Sequence, residues 1–366
     1  MASPGTRRLP LLTGSLLAVG LVACNHTEPF GSGAAPSNGP LGSGSPLLLT
    51  YSAGQNRDPA WLSDQSGILY SFQQIDQPDL DYCIGELPPG GGTRFSEKCF
   101  TGDPTQQTTD VLEQPAPASG PGGRLAWVLA RAPLGGRPTS RTIRTGTIGL
   151  LDTGKVVVTM PYTASSGQVH QTAFDLFWLG ADTLVYVGAD ALYGAACPNC
   201  KLDSMVTGRD IVLLPLNGAT PTPQVVPGTT SASSVWPSAD RTALYYTLGG
   251  DTKVYRRAIA SGAVSVVTDL DTLGITRDAS VQDSVLVAIA GGSVTYNTDT
   301  VFDRLQVDSG GRLVRVDLRT GVPAILGDTL HRYRHARPSP DGRYIVTEGT
   351  PASGTQIPNL WLITVP

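Results

Sequence analysis

Near the C-terminus the chain reads Ala336-Arg337-Pro338-Ser339-Pro340-Asp341-Gly342-Arg343-Tyr344-Ile345-Val346. Proline presets an extended backbone, the Asp side chain can bond its own backbone two residues on, and Gly accepts a left-handed conformation. The β-branched and aromatic residues that follow suit a pleated strand. The stretch is therefore a strand, a tight turn and a second strand.

The same unit recurs upstream. Asp58-Pro59-Ala60-Trp61-Leu62-Ser63-Asp64-Gln65-Ser66-Gly67-Ile68-Leu69-Tyr70 is one copy, and Val235-Trp236-Pro237-Ser238-Ala239-Asp240-Arg241-Thr242-Ala243-Leu244 is another. Weaker copies begin at Ala118, Phe177 and Ser280, so the pattern returns at intervals of roughly 43 to 60 residues. Each copy precedes an outer hairpin. The hairpin strands expected are 147–151 with 155–159, 254–259 with 264–268, 313–318 with 322–326, 210–214 with 224–227, and 82–87 with 93–99. Repetition of a four-stranded unit implies an all-β fold, a six-bladed β-propeller of four-stranded antiparallel blades. The last blade ends on Asn359–Val365 with no hairpin partner. Leu47–Tyr51 is a spare strand ahead of the first copy, and pairing the two closes the ring and removes an exposed edge.

Pro338 to Gly342 resembles the TolB-type propeller repeat, whose signature is Pro-x-Trp-Ser-Pro-Asp-Gly before a strand; the other copies keep one or two positions each. The resemblance implies that ligands meet the axial channel or the loops at one face. Residues just ahead of the motifs are then the candidates: Arg57, Asp58, Asp175, Arg277, Arg334 and His335. Arg332-Tyr333-Arg334-His335 is the densest basic and aromatic cluster in the chain. It reads either as a connection with solvated side chains or as a site for an anionic or sugar ligand.

The N-terminus carries a second resemblance. Arg7-Arg8, a short apolar run from Leu9, and Leu21-Val22-Ala23-Cys24 are similar to a bacterial lipoprotein signal with its lipobox. This implies cleavage of residues 1–23, a lipid on Cys24, a Gly/Ser/Pro-rich tether over 24–46, and a propeller over 47–366. The expected place is the bacterial cell envelope, on the outer membrane, as a lipid-anchored monomer.

Composition agrees with strands rather than helices: four Lys and five Glu stand against 25 Asp, 43 Gly and 29 Pro. A net charge of −4 gives no electrostatic case for nucleic acid. With Cys24 lipidated, four cysteines remain for an oxidising compartment. A hairpin centred on Gly91 would set Cys83 opposite Cys99, at a separation that a disulfide spans. Cys197-Pro198-Asn199-Cys200 reads as a loop disulfide, a redox pair or half of a zinc site, and no second pair of zinc ligands follows it.

No Gly-x-Ser-x-Gly elbow is present, and the four His are scattered, so neither a catalytic residue nor a metal or other cofactor is expected. Asp79/Asp81 and Asp269/Asp271 suit a calcium site or, more simply, turns. The expectation is a non-catalytic scaffold binding a protein, a glycan or an envelope component. The rival is a propeller enzyme, a polysaccharide lyase or hydrolase, with its active site in the channel. A His, an Arg and a carboxylate in mutual contact at the axis would favour the rival.

Overall fold

The computed structural model describes residues 46–50, 54–73, 82–92, 96–98, 108–119, 123–133, 140–148, 154–160, 162–163, 169–193, 203–292, 294–296, 306–308, 310–352 and 357–365. Over these residues the chain is β-structure, with one short 3-10 turn at Asp271–Leu273. Cys24, Cys99, Cys197, Cys200, Asp79 and Asp81 lie outside the described residues.

The turn chemistry of the repeat explains why each unit folds back. Ser339 N–H donates to the Tyr344 carbonyl (2.8 Å). The Ser339 hydroxyl donates to Asp341 Oδ1 (2.6 Å) and accepts from Tyr344 N–H (3.0 Å), with Gly342 at φ 68°. Ser238, Asp240 and Ala243 repeat these bonds at 2.9, 2.6 and 2.9 Å, with Arg241 taking the left-handed position. The Ser238 hydroxyl and Thr242 hold the Asp240 carboxyl down at about 2. The motif thus satisfies its own polar groups within one tight turn.

The strands form a β-propeller of four-stranded antiparallel blades. Ala232–Pro237, Ala243–Leu248, Lys253–Ala258 and Val264–Asp269 make one sheet in chain order. Thr276–Gln282, Val285–Ala290, Arg312–Asp317 and Pro323–Leu326 make the next, with the hairpin Val294–Tyr296/Gln306–Asp308 inserted. Val169–Trp178, Thr183–Tyr193, Asp203–Pro215 and Gln224–Val225 make a third, extended by Tyr162–Thr163 beside its first strand. Burial falls from the first strand of a sheet to the last: Ala232–Pro237 is largely buried, whereas Val264 and Val266 are exposed. First strands of different sheets pack against one another, so they line the axis.

Three expectations need correction. Four sheets stand apart as blades, not six. The remaining eight strands, from Asn56–Trp61 to Lys155–Thr159, run as one sheet because a single parallel bridge, Tyr82 to Val111, joins two sets of four. The strand paired with Lys155–Thr159 is Ser140–Thr147, not 147–151. Its only large apolar residue is the fully buried Ile143, so its apolar signal is faint. The spare N-terminal strand is Pro46–Leu48 rather than Leu47–Tyr51.

That strand does pair with Asn359–Thr364: Pro46 faces Ile363, Leu47 faces Leu362 and Leu48 faces Trp361. Leu49 N–H continues the contact to the Leu360 carbonyl (2.8 Å), and Leu360 N–H donates to the Thr50 hydroxyl (2.9 Å). The core is correspondingly a series of clusters between neighbouring sheets. One of them packs Leu49, Trp61, Tyr70 and Leu87 from the start of the chain against Val346, Leu360 and Leu362 from its end. Tryptophans of the repeat tie inner strands together. Trp61 Nε1 donates to the Arg337 carbonyl (3.0 Å), Trp178 Nε1 to Ala116 (2.9 Å) and Trp236 Nε1 to Val281 (2.8 Å).

Closure by so short a strand is testable by truncation. Removing residues 25–45 should leave the melting temperature nearly unchanged, whereas removing 25–51 should lower it by several degrees and promote aggregation. Leu49→Ala, emptying a buried position, should cost about 3 kcal/mol. Equal melting temperatures for the two truncations would rule out a stabilising closure.

Candidate functional site

Inner strands are irregular at one common level. Each carries a shift in register, at Arg57/Ala60, Glu113/Ala116, Phe174/Phe177, Ala232/Ser234, Arg277/Ser280 and Arg334/Arg337. In five of them the residue entering the bulge has a positive φ: Asp58 (52°), Gln114 (54°), Asp175 (50°), Asp278 (51°) and His335 (46°). A side chain in this region costs of order 1 kcal/mol or more, and such bulges persist only where something holds them.

What holds them is the next strand. Gln114 donates to Asp58 from its side-chain amide (2.7 Å) and its backbone N–H (3.4 Å). Asp175 N–H donates to Gln114 Oε1 (2.8 Å), and Val235 N–H to Asp175 Oδ2 (3.0 Å). Ala279 N–H donates to the Ser234 hydroxyl (3.2 Å), and His335 N–H to Asp278 Oδ2 (3.0 Å). Asp58 N–H then donates to Glu348 Oε1 (2.7 Å), the atom that also meets His335 Nδ1 (2.5 Å). The series of side-chain to backbone bonds returns to where it began.

Two charge groups fill the axis within this ring. Arg337 reaches across to Asp175, 162 residues away in sequence, and forms a salt bridge with both side chains almost fully buried. Its guanidinium lies over the rings of Phe177 (5.2 Å) and Trp236 (5.7 Å). The second group centres on Glu348, whose side chain is 0% exposed. His335 binds one of its oxygens, Arg334 Nη2 lies 3.2 Å from the other, and Asp58 Oδ1 lies 3.6 Å from His335 Nδ1.

Burial alone would favour neutral forms here, and the partners overrule it. For His335, burial opposes the charge, but Glu348, Asp278 and Asp58 hold its pKa up at about 9. For Glu348, burial would raise the carboxyl, but His335, Arg334 and Arg57 take it well below the usual range. Arg57 is likewise raised by Glu348 and Asp58 against burial. Asp58, His335 and Glu348 each offer an atom within 4.8 Å of the others, a spacing that suits one metal ion. A protonated His335 has no lone pair at Nδ1, so the group as it stands is a salt-bridged cluster.

The candidates read from sequence divide clearly. Arg57, Asp58, Arg334 and His335 converge on Glu348, and Asp175 takes Arg337. Arg277 holds the same station as Arg57 and Arg334, but its Nη2 donates to the Gly291 carbonyl (3.0 Å). Asp269 accepts from the Thr252 hydroxyl (2.5 Å) and lies 3.7 Å from Lys253 Nζ, while Asp271 accepts from Thr272 N–H (2.7 Å). Glu348, Arg337, Asp278 and Gln114 were missed. Asp278 and Gln114 carried a signal, since each stands three residues ahead of the position that Trp61 and Trp178 occupy in their repeats. The His, Arg and carboxylate contact that would favour an enzyme is present, in His335, Arg334 and Glu348.

No protein-family model matches the chain, and no curated protein matches it in sequence. Solved structures do. TolB from Acinetobacter baumannii superposes with a TM-score of 0.52 at 13% identity, over 81% of this chain and 63% of TolB. A luciferin-regenerating enzyme gives 0.53 at 11%, over 87% of this chain and 95% of the enzyme. A gluconolactonase from Xanthomonas campestris gives 0.50 at 15%, over 88% and 89%. At such identities the likeness is one of fold: the chain is similar to TolB and to gluconolactonase-like propellers, and spans less than two thirds of TolB's length.

Proposed function

We propose that the chain is a lipid-anchored propeller of the bacterial cell envelope that binds a ligand at the axial mouth and leaves it chemically unchanged. The observation that carries this reading is that the titratable groups of the axis are occupied by one another: Asp175 by Arg337, and Glu348 by His335 and Arg334. With a pKa near 9, His335 stays protonated at neutral pH, whereas a general base must be free of its proton there. The six-blade count is supported by the six register shifts and by the hydrogen bonds that link them into a circle. The eight-stranded sheet then counts as two blades.

The second reading is an enzyme, and the contact of His335 and Arg334 with Glu348 favours it, with an imidazolium available as a general acid. Incubating the protein with a bound ligand and weighing the ligand by mass spectrometry separates the two. Recovery unchanged supports binding; a product lost in His335→Gln supports catalysis.

The charged axis makes a pH prediction. His335 is raised from about 6.5 to about 9 on folding, so its contribution is complete below pH 6.5 and is lost as pH rises through 9. The shift corresponds to about 3 kcal/mol at most. The melting temperature should fall between pH 6.5 and 9.5 in the natural protein and much less in His335→Gln; parallel curves would discount the imidazolium.

Anchoring rests on Leu21-Val22-Ala23-Cys24. Cys24→Ser should abolish labelling by a fatty-acid probe and release the protein from the detergent phase; a labelled variant would end the lipoprotein reading. The disulfide rests on register. Ile84 faces Lys98, Gly85 faces Glu97 and Glu86 faces Ser96, a register that ends one residue short of Cys83. Non-reducing peptide mapping should join Cys83 to Cys99 and Cys197 to Cys200. Cys83 joined to Cys197 would contradict both.

A further inference from the structure

We infer that the axial mouth binds a carboxylate group, with Arg57 as its principal donor. This rests on the reading above that a ligand enters along the axis, and it names the chemistry of that ligand.

The cluster holds unused hydrogen-bonding capacity, and most of it is donors. Each carboxylate of the cluster already accepts at one oxygen or both. Glu348 Oε1 takes Asp58 N–H and His335, its Oε2 has no hydrogen bond but lies 3.2 Å from Arg334 Nη2 in an ion pair, and Asp58 takes Gln114. Asp278 takes His335 N–H, and Asp175 takes Val235 N–H and Arg337. The spare donors belong to cations, and the spare acceptor, Glu348 Oε2, is already faced by Arg334. Arg57 is half-buried, its Nε is enclosed without an acceptor, and its guanidinium forms no hydrogen bond or ion pair with a described residue. A guanidinium carries five N–H donors in a planar fork, and leaving them unmet in a partly dry site is costly. His335 spends Nδ1 on Glu348, which leaves Nε2–H as its remaining donor, on a ring 20% exposed.

Position agrees with this count. The cations lie outermost: His335 is 20% exposed and Arg334 11%, against 0% for Glu348 and 7% for Asp58. Arg57 and Arg334 hold the same station, one residue ahead of the bulge on neighbouring inner strands. The buried Arg337–Asp175 bridge joins the inner strands Val169–Trp178 and His331–Pro338. Sugar hydroxyls bring donors as well as acceptors. The unmet guanidinium fork of Arg57 is matched by an acceptor-only, planar, two-oxygen group, and a carboxylate against an arginine fork is that group.

The test is calorimetric titration of the full-length protein with two acid probes, an acetyl-capped dipeptide acid and a hexuronic acid. The neutral counterparts are the dipeptide amide and the parent hexose. At least one acid should bind saturably at pH 7, and its neutral counterpart about tenfold or more weakly. Which acid binds assigns the source as a peptide terminus or a sugar acid. Arg57→Gln and Arg57→Lys should both lose about tenfold or more, the second because charge without the fork does not suffice. Binding should also weaken above pH 9 as His335 deprotonates. Each variant is first checked for a cooperative melt; if Arg57→Gln does not fold, Arg57→Lys decides. No saturable binding of either acid overturns the proposal, as does acid binding indifferent to Arg57. A neutral probe that binds equally and still depends on Arg57 overturns the carboxylate but keeps the mouth as the binding site.

Discussion

At the centre of this fold the sheets run out of partners. The innermost strands pack against one another around a common axis, and at the level of the bulges no further described strand pairs with them. Buried backbone groups must nonetheless be satisfied. The solution is a bulge at which a side chain accepts the N–H of the next strand, at Asp58, Gln114, Asp175, Ser234 and Asp278, and Glu348 from the second strand of the last sheet closes the circle. The left-handed backbone at Asp58, Gln114, Asp175, Asp278 and His335 is the cost, and the bonds offset it. Because each link depends on the orientation of its neighbour, the blades are fixed as a set. The tryptophan bonds to neighbouring carbonyls act in the same sense at the next level along the strands.

Charge refines what the bonds establish. A buried ion pair contributes modestly to stability once desolvation is counted, yet a broken one is expensive. Arg337 and Asp175 therefore act chiefly by excluding arrangements in which their strands fail to face each other. The Glu348 group does the same at the seam, because its members come from both ends of the chain. Asp58 N–H and Arg57 belong to the first inner strand, while Arg334, His335 and Glu348 belong to the last sheet.

What the sequence showed follows from range. The turn at Ser339-Pro340-Asp341-Gly342 was legible because its hydrogen bonds are local, and the outer hairpins were legible where apolar alternation was strong. Ser140–Thr147 was misread because a neighbouring run looked more apolar than the true strand. Asp58, Asp175 and His335 could be picked out as residues ahead of the repeats. Arg337 and Glu348 could not, because nothing local distinguishes an arginine that crosses a channel from one in solvent. The single parallel bridge from Tyr82 to Val111 is likewise invisible to any pattern of alternation.

The pairing of Pro46–Leu48 with Trp361–Ile363 bears on the order of folding. Loop-closure entropy must be spent before so distant a contact returns anything, and folds dominated by such contacts form slowly. The strand made first is therefore positioned last. Until the final sheet arrives, the Asp175 carboxylate has no counter-ion and the first sheet offers an apolar edge to any passing chain. A ring of this kind gains little from being four-fifths built; a chaperone that shields the N-terminal strand during that interval would protect the molecule at its most vulnerable stage.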